Sequence, residues 1–466
     1  MHEGRLRNRP AGAAADAATA EAIEFGNPFR RRIMRLPRRA LGLIAATALV
    51  VFAPIPSASA DASDRTASNG SDEYWSTVMD RKTLAAMRHQ EKFQPVVQEL
   101  TELAAKNPAA GFTSLAFEGD GLSVYWKGNP PTPVQQAVTA ARNKLDVKLR
   151  SAAYSMADME NFADRIAGAA AESDLQAISL NYDGSGIKIT KKPPSRVSSR
   201  EAKSGRSVRR AEDILSQVRA QGAAAGNAVA KRIPATVVTA DHVIEPLACN
   251  GPCSRLDDSP AWNGGIRLVN RDSPKGWYEC TSGFGTRQGN NYYLVTAAHC
   301  GHSSGDRYYD AAGEFIGTSC GEQSTLDIQV ICAPGFYRMF DGPPGTTNYK
   351  NVLGWGYHVV NELLCHSGAT SGVICGLKTI GGDYQVWGED SDGDQFYVKG
   401  LIKTTQIDGQ TGARKGDSGG PVFSLMGTGV RAKGTISAGG AGSDTMLFQD
   451  WADYLRQWSD MYPRTP

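Results

Sequence analysis

One stretch of the chain, Gly416-Asp417-Ser418-Gly419-Gly420-Pro421, sets a single serine among glycines. Such a stretch suits acyl transfer. A hydroxyl raised on a tight turn attacks a carbonyl, and bare backbone N–H groups beside it hold the resulting oxyanion. The hydroxyl needs a base, and chain order says where to look for it. No histidine follows Ser418, the last being His366, so the base lies upstream. There, Thr296-Ala297-Ala298-His299-Cys300 follows the apolar run Tyr292-Tyr293-Leu294-Val295, and a strand would deliver His299 to its own end. Between the two lies Leu326-Asp327-Ile328-Gln329-Val330, one carboxylate among apolar residues, as suits a buried acid that orients an imidazole. Each residue alone has a plainer reading: a turn serine, a structural histidine, a strand-capping aspartate with Asp310 or Asp341 as substitutes. Together, in the order His…Asp…Ser, they predict Ser418 as nucleophile, His299 as base and Asp327 as orienting acid, with the N–H groups of Gly416 and Ser418 as the oxyanion hole.

These two segments resemble the signature segments of chymotrypsin-like serine peptidases. Two further segments, Cys280-Thr281-Ser282-Gly283-Phe284 and Cys365-His366-Ser367-Gly368-Ala369-Thr370-Ser371-Gly372 closing at Cys375, resemble the secreted bacterial branch, the streptogrisins and alpha-lytic protease. The resemblance covers Trp262 to Trp458. It implies a serine endopeptidase acting on polypeptides with no cofactor or metal, and the alternative is an inactive homologue on the same fold that serves as a binding module. It also implies disulfides Cys280–Cys300 and Cys365–Cys375. The four other cysteines leave three connectivities, of which Cys320–Cys332 with Cys249–Cys253 is favoured. Ser437-Ala438-Gly439 resembles the strand that pairs with the substrate backbone, and Gly412 falls where trypsins carry a carboxylate. An apolar specificity pocket is expected, with Asp444 as a carboxylate that would favour basic substrates instead. Two departures stand out. Thr411 to Lys415 lacks the cysteine usual before this nucleophile segment, and His366 stands where the alpha-lytic branch has an arginine, so His366 is expected to pair with Asp417.

The elements that must position these residues read as all-β. Short apolar runs recur between turns: Gly265–Asn270, Tyr292–Ala297, Phe315–Thr318, Ile328–Cys332, Asn351–Trp355, Tyr384–Trp387, Phe396–Leu401, Pro421–Leu425, Gly429–Ser437 and Thr445–Phe448. They predict two antiparallel barrels of the six-stranded type. A closing helix from Trp451 to Trp458 would turn Trp451, Leu455 and Trp458 to one face. Ahead of this part, Tyr74–Lys106 is helical in composition, with Leu84, Met87, Val96, Leu100 and Leu103 inward. A β–β–α–β–α–β–β order follows, predicting a small α/β domain. The basic, Pro- and Ser-rich stretch Lys191–Arg210 reads as a linker.

The chain has 466 residues with 50 Lys and Arg against 48 Asp and Glu, a net charge of +2 that argues against a polyanionic partner such as nucleic acid. All 8 cysteines lie beyond position 248, as expected of a disulfide-bonded exported domain behind something different. Zinc is disfavoured, because no C-x-x-C pair occurs. Met34 to Arg39 is basic, Ala40 to Pro54 is apolar and short for a bilayer span, and Ala58-Ser59-Ala60 is a small-x-small site. The division expected is 1–60 extension and signal peptide, 61–247 pro-region, and 248–466 peptidase, secreted and monomeric. The pro-region would act on its own chain as folding template and inhibitor, because a β-rich unit with distant contacts folds slowly.

Overall fold

The computed structural model describes residues 71–466 apart from 171–172, 195–196, 198–207, 225–231, 247–254, 273–277, 302–303, 390–394 and 441. The expected signal peptide and the Cys249–Cys253 pair lie outside the described residues.

Three helices open the described chain, α1 (Asp72–Val78), α2 (Arg81–Glu91) and α3 (Gln94–Ala105). The sequence suggested one continuous helical stretch. It is divided because Asp80 caps α2 through the N–H groups of Lys82 and Thr83, and Pro95 sits in the first turn of α3, where its missing N–H costs nothing. Leu84, Met87 and Leu100 are buried as expected, while Val96 and Leu103 are only partly so. The β–β–α–β–α–β–β order follows: a hairpin Phe112–Glu118 with Gly121–Lys127, α4 (Thr132–Arg142), the strand Val147–Ala152, α5 (Met156–Gly168), and a second hairpin, Leu175–Leu180 with Ile187–Lys191. Ser155 and Asp158 form a reciprocal capping box at the start of α5. Next come α6 (Ala211–Ala224) and the strand Ala235–Thr239.

Beyond residue 260 the chain is β-rich, closed by α7 (Trp451–Gln457). Asp450 caps α7, Trp451 and Tyr454 are fully buried, and Leu455 and Trp458 pack beside them. An eight-stranded sheet holds Asn291–Thr296 next to Ile328–Cys332, with Leu268, Leu294, Tyr308 and Ile331 in its core. The second sheet has fourteen strands and is not confined to the later part of the chain. Its far side is built from Ala235–Thr239, Ile187–Lys191 and Leu175–Leu180, and the last of these pairs antiparallel with Tyr384–Glu389 (Ser179 opposite Tyr384, Ala177 opposite Val386). The leading region and the later strands thus share one sheet. Two strands that would each end a sheet satisfy one another's backbone groups instead of water's. Ala177 and Ile244 share a buried cluster with Tyr384, Val386, Leu401 and Leu447 across this seam.

Candidate active site

The sheet pairing brings the candidate residues together. Asn291–Thr296 ends in a one-turn 3₁₀ helix, Ala298–Cys300, that carries His299. Its antiparallel neighbour Ile328–Cys332 sets Gln329 opposite Thr296, so the residue just before that neighbour, Asp327, arrives beside His299. Asp327 ends the 3₁₀ turn Ser324–Leu326 in the left-handed region, φ 53°, a conformation that costs energy for any residue but glycine. Disulfides hold both sides. Cys280–Cys300 ties the histidine turn to the strand Tyr278–Thr281, and Cys320–Cys332 ties Phe315–Gln323 to the strand that follows Asp327. Cys365–Cys375 joins the two strands of the Leu363–Gly368 and Gly372–Thr379 hairpin.

His299 Nδ1 lies 2.8 and 2.9 Å from the two oxygens of Asp327, and its backbone N–H donates to the same carboxylate at 2.9 Å. With Nδ1–H donating, Nε2 is an acceptor, and it stands 2.7 Å from Ser418 Oγ. Asp327 is 2 % exposed, and it also accepts a short hydrogen bond from Ser437 Oγ. The sequence reading assigned Ser437 to the substrate strand alone; no sequence signal marked it as a partner of Asp327. The substitutes for Asp327 are engaged elsewhere: Asp310 accepts the N–H of Glu314, and Asp341 faces Lys350 and Tyr74.

Around Ser418 the backbone is held from several directions. Thr281 N–H donates to the Ser418 carbonyl at 2.7 Å, and Thr281 Oγ1 donates to the Gly416 carbonyl at 2.6 Å. Gly419, at φ +82°, sits so close to Thr296 that a Cβ would lie 2.1 Å from its hydroxyl, which is why glycine follows the serine. The N–H groups of Asp417 and Gly419 are used by Arg414 and Ile436 carbonyls, while those of Gly416 and Ser418 have no hydrogen bond among the described residues. Ser418 is fully buried rather than raised into solvent. The strand Ile244–Pro246 lies close by, antiparallel on Gly429–Gly440, with Pro246 opposite Ala438, Glu245 opposite Gly439 and Ile244 opposite Gly440. It therefore covers two residues of the expected substrate strand, Ala438 and Gly439, and runs toward the third, Ser437.

The expected His366–Asp417 pair does not form. Asp417 accepts instead from the N–H groups of Thr370, Ser371 and Arg414 and from Ser371 Oγ. These four donors leave its carboxylate no need of an imidazole. His366 is enclosed, and its Nε2–H donates to the carbonyl of Gly412 at 2.9 Å. Burial lowers the pKa of His366, with Asp417 opposing, so the ring is held neutral. Gly412 is itself confined, since a Cβ there would lie 2.5 Å from the Asp444 carbonyl. Arg255 was missed by the sequence reading. It is buried beneath the site and donates to Ser367 Oγ and to the carbonyls of Gly265 and Gly342. Desolvation brings its pKa down to about 10.

No protein-family model matches the chain. Among solved structures, protease A of Thermobifida fusca is 25% identical over 44% of this chain and 98% of its own, with a TM-score of 0.35. A glutamic acid specific serine protease that uses a histidine triad in substrate binding is 20% identical over 44% of this chain and 100% of its own, with a TM-score of 0.35. The chymotrypsin of Cellulomonas bogoriensis is 23% identical over 44% of this chain and 98% of its own, with a TM-score of 0.33.

Proposed function

We propose that this chain is an exported serine endopeptidase made as a self-occluded precursor. The observation that carries the reading is the run of contacts from Ser418 Oγ through His299 to both oxygens of Asp327. Ser418 Oγ attacks the carbonyl carbon of a peptide bond while His299 Nε2 takes its proton. The tetrahedral oxyanion is held by the N–H groups of Gly416 and Ser418. His299 then gives the proton to the departing amine, and the acyl-enzyme ester that remains is hydrolysed by water through the same steps. Asp327, itself held by Ser437 Oγ, keeps Nδ1 protonated and stabilises the imidazolium.

The chain's own strand supports the substrate class. Ile244–Pro246 runs antiparallel to Gly440–Ala438 and heads toward Ser437, whose carbonyl lies 3.5 Å from Ser418 Oγ. A substrate strand continued by one residue in this register brings its next carbonyl to the nucleophile. Leu247 is the next residue in the sequence, and on this reading the first bond cut is the one after it, between the regions 61–247 and 248–466. The substrates in trans are then polypeptides with a leucine-like side chain before the cut. Export is supported by the basic–apolar–small leader in the sequence and by the three disulfides.

A fluorophosphonate probe tests the reading on protein already cut after Leu247. Ser418 becomes covalently labelled, and labelling is lost in Ser418→Ala and falls at least ~10³-fold in His299→Ala. Cut protein that stays unlabelled would contradict it.

A further inference from the structure

The leading region meets the rest of the chain in two different ways. Along Leu175–Leu180 and Ile244–Pro246 it meets strand edges, through backbone pairing and a buried cluster to which it gives Ala177 and Ile244. The helices α1 and α2 do something else: they complete a core. Trp75 is fully buried against Phe423, ring centroids 6.2 Å apart. Leu84 and Met87 belong to the same buried cluster as Val352, Phe423 and Leu425. Beneath them lie two ion pairs with almost no exposure. Asp341 and Lys350 stand 3.6 Å apart, with the Lys350 ammonium 3.6 Å from the ring centre of Tyr74 and the Tyr74 hydroxyl on Asp341. Glu362 and Lys433 stand 2.8 Å apart, and Gln94, at the start of α3, donates to one and accepts from the other. The rim is sealed by Gln90 with the backbone of Asn361 and Leu363, and by Arg88 and Glu91 with the backbone of Gly427.

A surface built this way does not tolerate uncovering. Removing α1 and α2 would wet an apolar patch and strip the buried Asp341–Lys350 pair of its partner Tyr74. The strand edges, by contrast, exchange backbone hydrogen bonds for water's and uncover, from the leading region's side of the seam cluster, only Ala177 and Ile244. We infer that α1 and α2 are a structural part of the catalytic body and stay bound to it after the chain is cut. The working enzyme is then a two-chain complex, not residues 248–466 alone. This rests on the peptidase reading for the cut, but not for the packing.

Two measurements separate the claims. In full-length Ser418→Ala, which cannot cut itself, hydrogen exchange by mass spectrometry should place the amides of α1 and α2 in the same slow class as Pro421–Met426 and Gly429–Gly440. Exchange of α1 and α2 at least a hundredfold faster than those strands would overturn the inference, whatever the chain's activity. In the cut wild type, peptides from residues 72–94 should co-elute natively with 248–466 in the active peak and separate only in denaturant. An active peak that lacks them, with an unchanged half-life at elevated temperature, would also overturn it. If the wild type is never cut, the peptidase reading fails and the exchange result alone decides the packing.

Discussion

At the scale of single residues, two hydrogen bonds separate what the site needs from what merely surrounds it. Ser437 Oγ donates to the Asp327 carboxylate, which also receives the Nδ1–H and the backbone N–H of His299. A hydrogen bond to a charged group contributes about 1.5–3 kcal/mol, so Ser437→Ala is expected to lower kcat roughly 10- to 100-fold with KM little changed. Steady-state kinetics on a leucine peptide checks this; an unchanged kcat would remove Ser437 from the account. His366 makes the opposite case. Its ring is neutral and bonded to Gly412, so His366→Gln leaves the acid limb of the pH–rate profile in place and shows its effect in KM through the Gly412 wall. Ser418, His299 and Asp327 could be proposed from the sequence because of their joint order, His…Asp…Ser, since each alone has a plainer reading. The partners of Ser437 and His366 were not, because both bonds join segments whose approach depends on the packed sheets.

Elements carry the next prediction, at the seam between the leading region and the later strands. Glu160 on α5 faces Asp383, with Asp164 and Arg456 nearby, beside a cavity of about 440 Å³ also lined by His358, Asp450 and Asp453. Burial first, then the Asp383 carboxylate, pushes Glu160 up to about 8 from 4.5. The docked state thus holds a proton that the separated state releases. Docking is fully supported below about 4.5 and weakens as pH rises from there through about 8. Release of the cut Leu175–Leu180 seam, followed by hydrogen exchange, is expected to quicken across that window, and Glu160→Gln is expected to flatten the dependence. A profile of equal slope in the variant would contradict this. The strands themselves were readable in sequence, since short apolar runs bounded by turns mark them. Their sharing of one sheet was not, because an edge strand carries no local sign of which edge it will meet.

For the whole molecule, the organising fact is that one sheet passes from the leading region into the candidate catalytic part, while α1 and α2 supply that part with core residues. The cysteine-free first half suggested a boundary near residue 247, and no pattern in either half announced that Trp75 would pack on Phe423. Trp75→Ala is expected to cost about 3–5 kcal/mol, the range for losing a large buried side chain, and thermal unfolding of Ser418→Ala with and without the change measures it. A loss below ~1 kcal/mol would mean that the helices cover the surface without supporting it. The central claim is that the Ser418 hydroxyl, activated by His299, opens a peptide bond delivered along Ala438–Gly440. Its most direct test is intact-mass spectrometry of the purified full chain over time, wild type beside Ser418→Ala and His299→Ala. The account predicts a fragment beginning at Ala248 in the wild type and an uncut chain in both variants; the same fragment appearing at the same rate in Ser418→Ala would contradict it.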